Sequence, residues 1–179
     1  SENLFLDYHY GKEAASDYVI GTRAGISNSS PMIGTYGLNK RGSDLYTKGA
    51  NLLHTLRQIA KDDEIWRMIL RGLNNEFYHQ TVDTKQIEEY ITSKIGFDLT
   101  TFFDQYLRDI RIPNLEYSIS NGLLTYRWID VIDNFTMPLE IEVLGKNIWI
   151  YPTTNKKSVK INSDKIKIDR DYYVKSLKI

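Results

Sequence analysis

Three histidines, His9, His54 and His79, are the first candidates for metal chemistry in this sequence. None stands four residues from another with a glutamate between, so there is no His-Glu-x-x-His helix to present two imidazoles and a base on one face. Lone histidines pack or cap more often than they ligate. His54 differs in one respect: it lies two turns after Tyr46, on nearly the same face of a predicted helix. Packing in the core or at its rim is still the expectation for it. Nucleophilic catalysis has no candidate, for there is no cysteine and no Gly-x-Ser-x-Gly elbow. Gly34-Thr-Tyr-Gly37 lacks both the Lys-Ser/Thr pair and the preceding strand of a phosphate loop. The acidic runs Asp62-Asp63-Glu64 and Glu88-Glu89 fall on predicted helix starts, where they suit the helix dipole and face solvent.

The chain that carries these groups changes its pattern near Pro113. Before it the periodicity is helical. Residues 2–10 read as a helix closed by Gly11, and Lys12 to about Asn28 as a second. Residues 29–43 hold Pro31, Gly34, Gly37, Asn39 and Gly42 and read as a loop. Ser43 or Asp44 can cap a helix running to about Ala60, with Leu45, Leu52, Leu56 and Ile59 on or near one face. Asp62 to about Leu73 follows, with Trp66, Ile69, Leu70 and Leu73 at i, i+3, i+4 and i+7. Asp83 and Gln86 form a capping-box pair for a helix that ends at Gly96, and Asp98 can cap the last helix. Ile112-Pro113 turns the chain out of helix. Beyond it Leu115, Tyr117 and Ile119 alternate with polar residues, and Asn121-Gly122 signals a two-residue hairpin turn. Leu139–Val143 alternates as well, Gly145-Lys-Asn147 reads as a turn, and Val159 to Val174 reads as a run of short strands.

Composition narrows the class. The 179 residues are 41% apolar and 26% charged, enough for a folded core. Lys plus Arg equals Asp plus Glu at 23 each, which gives no electrostatic footprint for nucleic acid or an anionic membrane. Without cysteine there are no disulfides and no thiolate metal sites. No apolar run approaches the length of a membrane span, and the start has no signal pattern. The opening Ser-Glu-Asn-Leu-Phe-Leu has no initiator methionine and reads as the interior of a longer protein, with any export signal upstream.

One stretch is more specific: Asp44-Leu45-Tyr46-Thr47-Lys48-Gly49-Ala50-Asn51-Leu52-Leu53-His54-Thr55-Leu56-Arg57. It resembles the Tyr-x-Lys-Gly helix of the gluzincin zinc aminopeptidases, the family of aminopeptidase N and leukotriene hydrolase. Its flanks resemble the family too. Pro31–Asn39 precedes it as in bacterial members, and Thr81–Thr84, Gly96–Thr100, Phe102–Leu107 and Ile112-Pro113 follow. The likeness covers about residues 2–120 and, more loosely, the β region. It implies a zinc-dependent enzyme that removes N-terminal residues from peptides. In that chemistry zinc-bound water attacks the scissile carbonyl, and Tyr46 would donate its phenol O–H to the developing oxyanion. Gly49 and Ala50 would let this helix approach its neighbour closely. Glu2 would be a second-shell glutamate two turns past a zinc ligand. Tyr36 would line the substrate cleft, or be a turn residue without substrate contact.

The same resemblance places the zinc ligands upstream. The expectation is therefore a fragment that binds no metal, is inert alone and needs the upstream N-terminal part of the same protein to act on peptide substrates. It leans towards an exported protein and leaves the compartment open. The expected fold is α+β: residues 1–113 as the helical C-terminal half of a metallopeptidase catalytic domain, and 114–179 as a small antiparallel β-sandwich domain. Two rivals predict something else. One is a non-catalytic aminopeptidase-like scaffold. The other is a helical/β binding module, which calls for an exposed aromatic row formed by Tyr126, Trp128, Trp149 and Tyr151.

Overall fold

The computed structural model describes residues 2–34 and 43–179. Helices come first: α1 Glu2–Tyr10, α2 Lys12–Gly21, α3 Thr47–Ile59, α4 Asp63–Glu76, α5 Thr84–Ile95 and α6 Thr100–Phe103, which runs on into a π turn over Asp104–Arg108. Strands follow: β1 Asn114–Ser120, β2 Leu123–Ile129, β3 Leu139–Val143, β4 Lys146–Ile150, β5 Lys157–Lys160, β6 Lys167–Ile168 and β7 Lys175–Lys178. The α+β architecture read from the sequence is the one observed. Among the described residues no helix is long and apolar enough to cross a membrane.

Local signals set most boundaries. At α5, Asp83 accepts the Gln86 amide at 2.9 Å and the Gln86 side chain accepts the Asp83 amide at 2.9 Å, so the capping box is complete. Asp83→Ala is expected to cost about 1 kcal/mol, read as a shift in the denaturant midpoint. Asp62 caps α4 through the Glu64 amide, and Gly96 ends α5 in the left-handed conformation (φ 73°). The second helix is shorter than expected. It stops at Gly21, passes through a 3₁₀ turn over Thr22–Gly25 and leaves Asn28 at φ 49°. Gly21 and Gly25 propagate helix poorly, and the Thr22 hydroxyl takes the Val19 carbonyl at 2.6 Å.

The strands form two sheets, ordered β5-β2-β1-β7 and β4-β3-β6. Asn121 and Gly122 make the β1–β2 turn with φ of 49° and 73°, as a type I′ turn requires. Gly122 also lies against Ile161: a Cβ there would fall 2.7 Å from the Ile161 carbonyl oxygen. The β3–β4 turn is Leu144-Gly145, one residue earlier than expected, so Lys146 and Asn147 already belong to a strand. Pairing is antiparallel except at β7, which lies parallel to β1. Tyr173 and Val174, expected in a strand, instead precede β7 in a segment packed on the helices.

That segment joins the helices to the sheets. The Arg23 guanidinium donates to the carbonyls of Arg170 (2.9 Å) and Asp171 (3.3 Å) and to Asn51 Oδ1 (2.7 Å). The Tyr173 amide donates to Thr55 Oγ1 on α3 at 3.0 Å, and the Tyr106 phenol donates to the Tyr173 carbonyl at 2.7 Å. One hydrophobic cluster continues from Leu56, Ile69 and Phe102 to Leu115, Trp128 and Leu139. Helix α3 is therefore held from the sheet side, and its opposite side is left to face a groove.

Candidate active-site groove

The start of α3 is built from buried charge. A 3₁₀ turn over Ser43–Leu45 precedes it, and Tyr46 stands at its N-cap with no side-chain cap hydrogen bond. Asp44 points inward and accepts from the amides of Ser27 (3.1 Å) and Asn28 (2.6 Å), not from the first amides of α3 as expected. Lys48 is also buried and donates to the Asp109 carbonyl at 3.1 Å. The two N–H groups of Asn51, one turn on, are shared among the carbonyls of Val19 and Thr47 and Thr22 Oγ1, while its Oδ1 accepts from Arg23. A buried side chain with this many partners is satisfied and costs little.

With Asp44 and Lys48 turned inward, Tyr46 between them turns outward. It is 89% exposed, and its phenol has no hydrogen-bond partner among the described residues. It lies on a groove of about 530 Å³ walled by α1 (Glu2, Asn3, Leu4), α2 (Tyr18), α3 (Tyr46, Leu53) and α4 (Trp66, Leu70). Glu2 stands on that groove and accepts from the Tyr18 phenol at 2.9 Å. This hydrogen bond and the Glu2 charge push the Tyr18 phenol up from its ordinary value. Tyr46 and Glu2, 44 positions apart in sequence, thus share one cavity. Tyr36 lies outside the described residues.

Gly49 does not do what was expected of it. A Cβ placed there meets nothing within 4 Å, so the glycine opens the groove wall and does not admit a neighbouring helix. His54 is 2% exposed. Its Nδ1 faces the Asn3 amide nitrogen at 3.4 Å, and its Nε2 faces Asp171 Oδ1 at 3.2 Å. The Asp171 carboxylate can only accept, so Nε2 is the donor in that contact. His54 therefore ties α1 and the 169–174 segment to α3, as a packed histidine does.

Arg57 also lines the groove. Its guanidinium donates to Asp63 (2.7 and 2.9 Å) and pairs with Asp7 (2.7 Å). The hydrogen bond from Arg57 brings the Asp63 carboxyl down to about 2. Because the folded value is depressed, the pair's contribution is complete above roughly pH 4 and is lost as pH falls towards 2. The stability gap between wild type and Asp63→Asn should accordingly narrow over that interval in pH-dependent denaturation curves. A gap independent of pH would mean that the carboxylate charge is not what Arg57 uses.

The other candidates resolve as structural. Glu88 pairs with Arg108 and Glu64 with Arg67. His9 packs by the Phe5 and Tyr8 rings, and His79 follows α4 with φ 54°. Among the described residues no three His, Cys, Asp or Glu side chains are placed to hold a metal ion, so these residues do not fit a zinc site. Nor do Tyr126, Trp128, Trp149 and Tyr151 form an exposed row. Tyr126 and Trp128 are buried, Trp149 sits half-buried with the Lys61 amine 4.4 Å from its ring centre, and Tyr151 alone is largely open.

No family model and no curated protein matches this chain. Among solved structures it is similar to aminopeptidase A of Legionella pneumophila, determined in complex with aspartic acid. The two superpose with a TM-score of 0.67 at 14% identity, over 98% of this chain and 22% of that one. The gluzincin assignment drawn from the Tyr-x-Lys-Gly stretch is therefore corrected, because no family match supports it and identity this low carries only the fold. The physical reason is visible in the motif itself. Lys48 and Asn51 are buried to anchor the start of α3, and a packing requirement of that kind is not evidence of a family. What the comparison shows is a shared fold, over about a fifth of that protein's length.

Proposed function

We propose that this chain supplies one wall of the substrate cleft in a larger aminopeptidase, with Tyr46 donating its phenol O–H to the scissile carbonyl oxygen. The observation that carries this is an exposed phenol, without a hydrogen-bond partner among the described residues, on a groove of about 530 Å³ in a fold shared with part of an aminopeptidase. As the carbonyl carbon becomes tetrahedral, negative charge builds on its oxygen. A donor already aimed there stabilises that charge without moving a proton and without reorganising. Glu2, lining the same groove from α1, holds the Tyr18 phenol and adds negative charge beside the cleft. Leu4, Leu53 and Leu70 give the groove an apolar lining suited to a peptide side chain.

Hydrolysis at neutral pH also needs an activated water. Zinc is the cofactor this function calls for, and it would be held by residues outside this chain, since the described residues form no metal site. Alone, the chain is expected to be inactive. The test is turnover of aminoacyl anilides by the complete protein with Tyr46→Phe, and wild-type turnover by that variant would overturn the role of Tyr46.

A further inference from the structure

Tyr46 is fixed by nothing attached to its own ring. Among the described residues its oxygen has no hydrogen-bond partner and no aromatic ring stacks on it, and it lies at the break between the 3₁₀ turn and α3. An exposed tyrosine at such a break would sample several positions. Its neighbours two residues either side do the opposite. Asp44 is 3% and Lys48 1% exposed, and each is pinned to a different element. Asp44 takes two backbone amides from the turn that follows α2, and Lys48 takes the Asp109 carbonyl beyond the π turn. The two charges stand one turn apart. Burial lowers the Lys48 amine from its ordinary value, while the Asp44 and Asp109 charges act in the other direction.

Buried charges of this kind are a poor source of stability, because desolvation cancels most of the attraction. Well-packed apolar residues would stabilise the helix start as well or better. What the charges add is register, since each reaches a partner only if α3 begins where it does. We propose that Asp44 and Lys48 are positioning residues for Tyr46, an anchored pair of opposite charges that holds the phenol at one point on the groove. The proposal deepens the catalytic assignment of Tyr46 and rests on it for its effect on turnover.

The test uses the complete protein labelled with fluorotyrosine, with the Tyr46 line assigned by its loss in Tyr46→Phe. In Lys48→Met, and in the double variant Asp44→Asn/Lys48→Met in case the single one folds poorly, the ¹⁹F line should shift or broaden. Over the same variants kcat should fall by about ten- to a hundredfold with KM nearly unchanged, as misplacement of a catalytic group does. In the Tyr46→Phe background the added Lys48→Met should change kcat less than about twofold, since nothing is left to position. An unmoved Tyr46 line, or an equal loss of kcat in both backgrounds, would overturn the proposal. A line that moves while Tyr46→Phe itself turns over normally would support the positioning role and reject the catalytic one.

Discussion

Tyr46→Phe in the complete protein is expected to lower kcat by about two to three orders of magnitude, roughly 3–4 kcal/mol of transition-state stabilisation. KM should change little. A ground-state carbonyl draws weakly on the donor, and the interaction strengthens only as the oxyanion forms. Stability should not change, because the ring is 89% exposed and its oxygen holds no partner among the described residues. That pairing separates the proposal from a structural role: a large loss of turnover beside an unchanged unfolding midpoint. Steady-state kinetics on an aminoacyl anilide and a denaturation curve on the same preparation give both numbers. Loss of stability together with activity would point to a packing tyrosine instead.

The largest stability effect is expected on the other side of α3. Trp128 on β2 is 1% exposed. Its indole N–H donates to the Met137 carbonyl at 3.3 Å, and its ring meets Phe135 edge-on at 5.8 Å between centres. Trp128→Ala removes the side chain, opens a cavity in the cluster shared by sheets and helices, and leaves the Met137 carbonyl without this donor. A cost of about 3–5 kcal/mol follows, a large part of the stability of a typical domain. Urea denaturation followed by near-ultraviolet circular dichroism would show it. A shift below about 0.5 kcal/mol would mean that the cluster is not one cooperative core.

The two variants also mark how much could be read from residues alone. The Asp83–Gln86 capping box, the Gly96 stop and the Asn121-Gly122 turn were legible because each acts through atoms a few residues apart. The inward face of α3 was harder. Its buried positions include Lys48, Asn51, Leu52, Thr55, Leu56 and Ile59, a helical stripe in which half the residues are polar. A search for apolar periodicity selects Leu45 in its place, and Leu45 is exposed. The stripe's spacing was present, but its polar members become core residues only once Asp109, Val19 and Tyr173 arrive to satisfy them. Gly49 misled for the converse reason: a small residue after Tyr46 suggests close approach, and the structure shows open space.

The sequence by itself determined the class of the fold, the start of α4, both ends of α5, the hairpin between β1 and β2, and Tyr46 as a residue to examine. Each depends on local geometry, period or dihedral preference, which a short window of residues specifies. Tertiary structure alone decided that Tyr46 shares a groove with Glu2, that His54 meets Asn3 and Asp171, and that β7 runs parallel to β1. It also decided that residues 169–174 fasten the β region to α3. Those facts depend on groups tens of residues apart meeting in space. No window contains them, because the free energy that brings such groups together comes from the whole buried core.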